Sequence, residues 1–173
     1  RGLERHSLLT LADCKWVEHS ASVLITGPTG VGKSYLACAL AHQACRKEFR
    51  VHYVRLGRLM EDLALARSDG RYLKLINGLS KFDVLVLDDW GLAPLKPEAR
   101  RDLLEIMEDR YQKKSTIVTS QFPVSKWHKL LGDPTLADAI LDWLLHSSYR
   151  FELKGESMRK VFSPLTSAKE VES

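Results

Sequence analysis

Gly27, Gly30, Gly32, Lys33 and Ser34 fall at the spacing G-x-x-x-x-G-K-[ST], a pattern suited to holding polyphosphate. Its glycines let the backbone curl until several N–H groups aim at one point. A helix opening near Lys33 adds the positive end of its dipole to the same place. In such a loop Pro28, Thr29 and Val31 complete the cradle and Tyr35 follows on the first helical turn. Lys33 reaches the β and γ phosphates, and the hydroxyl of Ser34 offers a ligand to Mg2+.

A second group of reactive side chains, Asp88 and Asp89, follows the apolar run "VLVL". A carboxylate at the tip of a buried strand suits a magnesium-bound water. The next acid, Asp89, is placed to polarise an attacking water. Asp89 is one methylene shorter than the glutamate more often found there, so its reach is the weak point. Further along, "STIVTSQ" ends on polar residues, and Ser120 or Gln121 could sense the γ-phosphate from an inserted central strand. No Asn-Lys-x-Asp element for reading guanine occurs, since Asn77 is followed by Gly78, so ATP is the expected nucleotide.

These residues need a frame that brings strand ends together. Compact apolar segments at 22–26, 82–89 and 115–121 read as buried strands, and 50–56 alternates as a strand should. Helices are predicted over 8–20, 33–49, 96–112 and 133–148, with one or two more over 57–80 broken near Asp69-Gly70. The segment 149–154 reads as a final strand. Strands alternating with helices predict an α/β fold, a parallel sheet with helices on both faces and little or no C-terminal helical lid.

The 173 residues suit one domain, and 45% apolar with 28% charged residues is the composition of a globular chain. No apolar run approaches the roughly 18–20 residues of a membrane span. Cys38 and Cys45 lie two turns apart on a predicted helix, where they are expected to pack as small apolar groups, and cysteine usage fits a reducing cytoplasm. The net charge of +4 mildly favours an anionic partner. The chain opens at Arg1 without an initiator Met, so it reads as a fragment whose N-terminal helical domain is absent. Residues 1–160 are expected to form the core and 161–173 a flexible tail.

The loop Val23–Ser34, together with "LDDWGLAPL" (Leu87–Leu95), "DLLEIMEDRY" (Asp102–Tyr111), "STIVTSQFP" (Ser115–Pro123), "GDPTLADAILD" (Gly132–Asp142) and "ELKGESMRK" (Glu152–Lys160), resembles the IstB-like ATP-binding proteins. These are encoded beside the transposase in bacterial insertion sequences and are cousins of the DnaC helicase loader within the AAA+ group. The resemblance implies a bacterial cytoplasmic ATPase that uses ATP and Mg2+ and self-associates through ATP-bridged interfaces. It further implies assembly on duplex DNA without sequence reading, and help to an IstA-type transposase in target selection and insertion. A replicative helicase loader is the alternative on the same core. A small-molecule kinase would need an acceptor pocket and an arginine-rich lid, neither of which is evident.

One position departs from the family pattern. After "ADAILD" the family continues Arg-Leu, an arginine donated to a neighbour's ATP, and this chain carries Trp143 instead. A tryptophan cannot neutralise charge on a transferred phosphoryl group, so turnover is expected to be weak. Arg150 is a possible substitute, although it begins a strand. Arg159, in "GESMRK", matches a sensor arginine. In loader and initiator relatives the helical region before the acidic strand faces nucleic acid. Here it holds Arg55, Arg58, Arg67, Arg71, Lys74 and Lys81, a candidate phosphate-backbone surface. Arg58 also stands at helical spacing from Glu61 and Asp62, which suits a salt-bridged surface equally well.

Overall fold

The computed structural model describes residues 5–158. Three strands, Ser22–Thr26 (β1), Val84–Asp88 (β3) and Ser115–Ser120 (β4), are buried at every position. Continuous apolar runs of this kind need cover on both faces of a sheet. Val51–Arg55 (β2) and Ser148–Glu152 (β5) are partly open and occupy the edges. All five strands run parallel in the order β2-β3-β4-β1-β5. β4 is therefore inserted between β1, which leads into the glycine loop, and β3, which ends in the acidic pair.

Side chains alternate across the sheet. Val23, Ile25, Val84, Val86 and Ile117 form one core with helices α1 (Arg5–Ala12), α2 (Lys15–Glu18) and α3 (Lys33–Arg46). Leu24, Leu85, Leu87 and Val118 form the other. It is closed by α4 (Leu56–Asp69), α5 (Tyr72–Leu79), α6 (Pro97–Arg110), α7 (Trp127–Leu131) and α8 (Pro134–Leu145). Gly70, at φ 80°, stops α4 where the sequence predicted the break. No helix among the described residues is long and apolar enough to cross a membrane.

Several boundaries differ from expectation for identifiable reasons. The helix predicted over 8–20 is two short helices, parted at Cys14, whose φ is 61°. That bend drives Trp16 into the core, where its indole N–H donates to the Leu11 carbonyl at 3.1 Å. α3 buries Leu36, Ala37, Leu40, Ala41 and Ala44, the predicted stripe. Cys38 and Cys45 share a face as expected, but it is the solvent face, and both are exposed. A 3-10 turn at Val124–Lys126 and α7 have no counterpart in the sequence reading. They exist to bury Trp127, which stacks on Trp90 with centroids 5.3 Å apart and donates its indole N–H to Phe122 O at 2.9 Å.

Arg110, at the end of α6, is only 2% exposed. Its guanidinium donates to the carbonyls of Leu79 and Phe82 at 2.9 Å each, to Ser115 O, and to the Thr116 hydroxyl at 3.2 Å. Burial lowers its pKa to about 10, which still leaves it charged near neutrality. One side chain thus ties α5, α6 and the starts of β3 and β4 together. Arg110→Leu strands those acceptors and is expected to cost about 3 kcal/mol, read as a lower urea midpoint at unchanged slope.

Candidate nucleotide site

β1 ends at Thr26, and the loop 27–32 turns at the C-terminal edge of the sheet before α3 begins at Lys33. Gly30 has φ 82°, and a Cβ there would stand 2.2 Å from the Ser157 hydroxyl oxygen. At Gly27 a Cβ would stand 2.5 Å from the Leu153 carbonyl. Both clashes come from the chain after β5, which returns to the loop through Leu153 N–H to Thr26 O at 2.7 Å and Met158 N–H to Gly30 O at 2.8 Å. These glycines therefore serve the packing of the loop as well as its curl. Val31, 5% exposed, pins the loop into the core, and Gly32 caps α3 with φ 108°.

Lys33 is 9% exposed and its ammonium donates to Pro28 O at 2.8 Å. Burial lowers its pKa, while the nearby carboxylates of Asp89 and Asp88 oppose that shift. Tyr35 projects into solvent at 83% exposure. The Thr29 hydroxyl donates to Gln121 Oε1 at 3.0 Å, which joins the loop to the end of β4.

Asp88, 2% exposed, terminates β3. The Ser34 hydroxyl lies 2.9 Å from each of its carboxylate oxygens. The hydroxyls of Thr119 and Tyr53 also donate to it. Register explains both contacts. Leu87 pairs with Val118, which sets Thr119 beside Asp88, and Tyr53 pairs with Val86, two residues before it. Burial and the bond to Asp88 push the Tyr53 phenol up to about 12. A hydroxyl beside a carboxylate is a hard-oxygen pair that would suit magnesium, with Ser34 as a ligand and Asp88 holding the ion's water.

Asp89 sits in a left-handed turn, φ 62°. Its N–H donates to the Thr119 hydroxyl at 3.1 Å, and Trp90 N–H donates to Thr119 O at 2.8 Å. This turn leaves the Asp89 side chain 37% exposed at the site, 3.8 Å from Arg55 Nε.

Other expected positions fall differently. Ser120 is fully buried, its hydroxyl donating to Trp90 O at 2.7 Å and accepting from Phe122 N–H at 3.1 Å. It faces away from the loop because side chains alternate along β4, so Gln121 is the residue of that pair that meets the loop. Thr119 and Tyr53 were missed, and the only signals for them were strand alternation and polar side chains within otherwise apolar strands. Trp143 packs beside Tyr111, centroids 6.3 Å apart, and shares a cavity with Ser22 and Thr116 at the opposite end of the sheet. Arg150 is exposed on the edge strand, near the Ser148 hydroxyl. Arg159 lies outside the described residues.

The basic segment is also rearranged by its partners. Arg67 does not present a free charge: it donates to buried Asp102, which also accepts from the Tyr72 hydroxyl at 2.6 Å, and its guanidinium lies 4.0 Å from the Tyr72 ring centroid. It therefore ties α4 and α5 to α6. Arg58 pairs with Asp62 at 3.2 Å, Arg71 with Asp69 at 2.6 Å, and Arg55 with Asp89. Lys74 is exposed on α5. A groove of about 510 Å³ opens beside Asp89 between α4 and the segment 91–96, lined in part by Met60, Leu92 and Leu95.

Residues 1–164 match the family model described as IstB-like ATP binding protein. The chain belongs to that family. It is 54% identical over 160 residues to the insertion sequence ATP-binding protein y4pL of Sinorhizobium fredii, covering 92% of this chain and 65% of that relative. It thus spans less than two thirds of that relative's length. In fold it is similar to the DnaC helicase loader, with a TM-score of 0.71 at 24% identity over 86% of this chain and 89% of that one. It is similar also to DnaI, with a TM-score of 0.76 at 21% identity over 87% and 85%. The IstB-like chain therefore carries a P-loop sequence on a five-stranded parallel sheet whose fold is similar to that of these two proteins.

If the curl of the loop and its close seat against Ser157 set phosphate binding, Gly30→Ala should weaken binding of an ATP analogue about tenfold, given the ~1–2 kcal/mol of left-handed strain and the clash of a Cβ with the Ser157 hydroxyl. A fluorescence titration measures it, and an unchanged affinity would show that this conformation is not needed.

Proposed function

We propose that this chain is the ATPase core of a DNA transposition helper, which assembles on duplex DNA through ATP-bridged subunit contacts and assists an IstA-type transposase in target selection and insertion. The observation that carries the reading is the Ser34–Asp88 pair beneath the glycine loop, in a chain of the insertion-sequence ATP-binding family. Residues 1–160 are taken as that core.

In this reading the loop N–H groups receive the phosphates, and Lys33 exchanges the Pro28 carbonyl for phosphate oxygens. Ser34 and Asp88 hold Mg2+, which when bound neutralises charge on the phosphates. Asp89, exposed and only distantly paired with Arg55, orients a water and takes its proton as ATP is cleaved to ADP and phosphate. Gln121, tethered to Thr29 at the end of β4, takes the role of γ-phosphate sensor. Trp143 stands where the family pattern has its finger arginine, and that departure supports slow turnover.

The fold likeness to helicase loaders leaves a second reading open, and the two differ in the nucleic acid they prefer. Electron microscopy of the protein on duplex DNA with an ATP analogue is expected to give assemblies that disappear without nucleotide. Preference for single strands together with capture of a helicase would favour the loader. Asp89→Asn is expected to keep assembly while hydrolysis falls about a hundredfold; normal hydrolysis would remove Asp89 from its role.

The DNA-facing surface is drawn from Arg58, Arg71 and Lys74, without Arg67. Changing these three together to Ala should weaken duplex binding and flatten the dependence of log K on log salt by up to about 3, with ATP binding retained. An unchanged slope would move the interface elsewhere.

A further inference from the structure

Asp88 is a buried carboxylate held, among the described residues, by three hydroxyls, and it forms no ion pair with them or with any cation there. Two of the three come from the start of α3 and from β4, the strand beside β3. The third comes from outside that set. Tyr53 lies on β2, the edge strand, with 42% of its surface exposed. Its ring is therefore not core filling. Tyr53, Val86 and Asp88 point to one face, and the phenol spans the two strand residues, about 6.6 Å, that separate its own register position from the carboxylate.

The bonds divide between the two carboxylate oxygens. Thr119 donates to Oδ1, Tyr53 donates to Oδ2, and Ser34 sits between them. Each carboxylate oxygen accepts in about two directions. With Thr119 on Oδ1 and Tyr53 on Oδ2, the carboxylate is held at both oxygens, and with Ser34 donating to Oδ1 the second acceptor direction of Oδ2 is left for an ion's water. Ser34 can keep its proton on Asp88 while its own lone pair faces an ion.

We propose that Tyr53 is a positioning residue for magnesium: it fixes the Asp88 carboxylate so that Oδ2 addresses the ion's water shell, an inference that rests on reading Ser34 and Asp88 as the magnesium-holding pair. Outer partners of this kind typically change metal affinity 10–100-fold when removed. A hydroxyl that only steadied the local fold would alter nucleotide binding equally with and without the ion. A hydroxyl that positions Asp88 alters only the part that depends on magnesium.

Tyr53→Phe keeps the ring and removes the hydroxyl, and a circular dichroism melt checks that the fold is retained. A fluorescent ATP analogue is titrated into wild-type and variant protein, first in EDTA and then across a magnesium series, with Asp88→Asn as the control for a lost ion site. The expected result is equal affinity in EDTA and an approximately tenfold higher magnesium concentration at half-maximal effect for Tyr53→Phe. A variant whose magnesium curve overlays the wild type overturns the role of Tyr53 and leaves the magnesium reading standing. A wild type whose affinity ignores magnesium overturns both. A loss that is equal in EDTA and in magnesium shows that the hydroxyl supports the nucleotide loop without regard to the ion and overturns the proposal.

Discussion

The contact between Ser34 at the start of α3 and Asp88 at the end of β3 is the constraint around which the rest of the site is arranged. It crosses from one strand–loop–helix unit to another and requires that β1 and β3 end at the same level. The intervening strand β4 supplies that level through its register with both neighbours. A slip of one residue would turn Thr119 to the other face and put Ser120 beside Asp88. Three strands buried at every position, with cores on both faces, make such a slip expensive.

Around that contact the structure places polar side chains where burial would otherwise be costly. Asp88 is nearly inaccessible, and its oxygens are met by hydroxyls that donate without bringing a charge. Asp89, one residue on, is turned outward by its left-handed backbone, and Thr119 accepts its N–H while Trp90 is drawn into the second core. Two adjacent acids thus acquire opposite surroundings within a single turn. β2 touches both, through Tyr53 and through Arg55, and it runs directly into α4, which begins the basic helical segment.

That segment illustrates how charge in a sequence is divided once the chain folds. Arg67 is consumed by a buried carboxylate and an aromatic ring, which makes it a brace between helices. Arg58 and Arg71 meet acids at the surface, where such pairs are weak and readily exchanged for phosphate. Lys74 stays exposed. Arg110, from a motif that helped carry the family resemblance, is a buried hub of backbone carbonyls.

What the sequence determined by itself was local. The glycine spacing, the apolar runs that must be buried strands, the helical stripe of α3 and the break at Gly70 are all encoded within a turn or two of chain, and each is found where expected. The position of Asp88 beside the loop was legible because the apolar run preceding it can only be a central strand. Tyr53, Thr119, the choice of Gln121 over Ser120, the bracing role of Arg67 and the solvent-facing cysteines were not legible in that way. Each depends on which residue of a neighbouring element stands opposite. That is decided by strand register and helix packing, which only the tertiary fold establishes, because the partners are tens of residues apart in sequence and one step of alternation reverses the face they share.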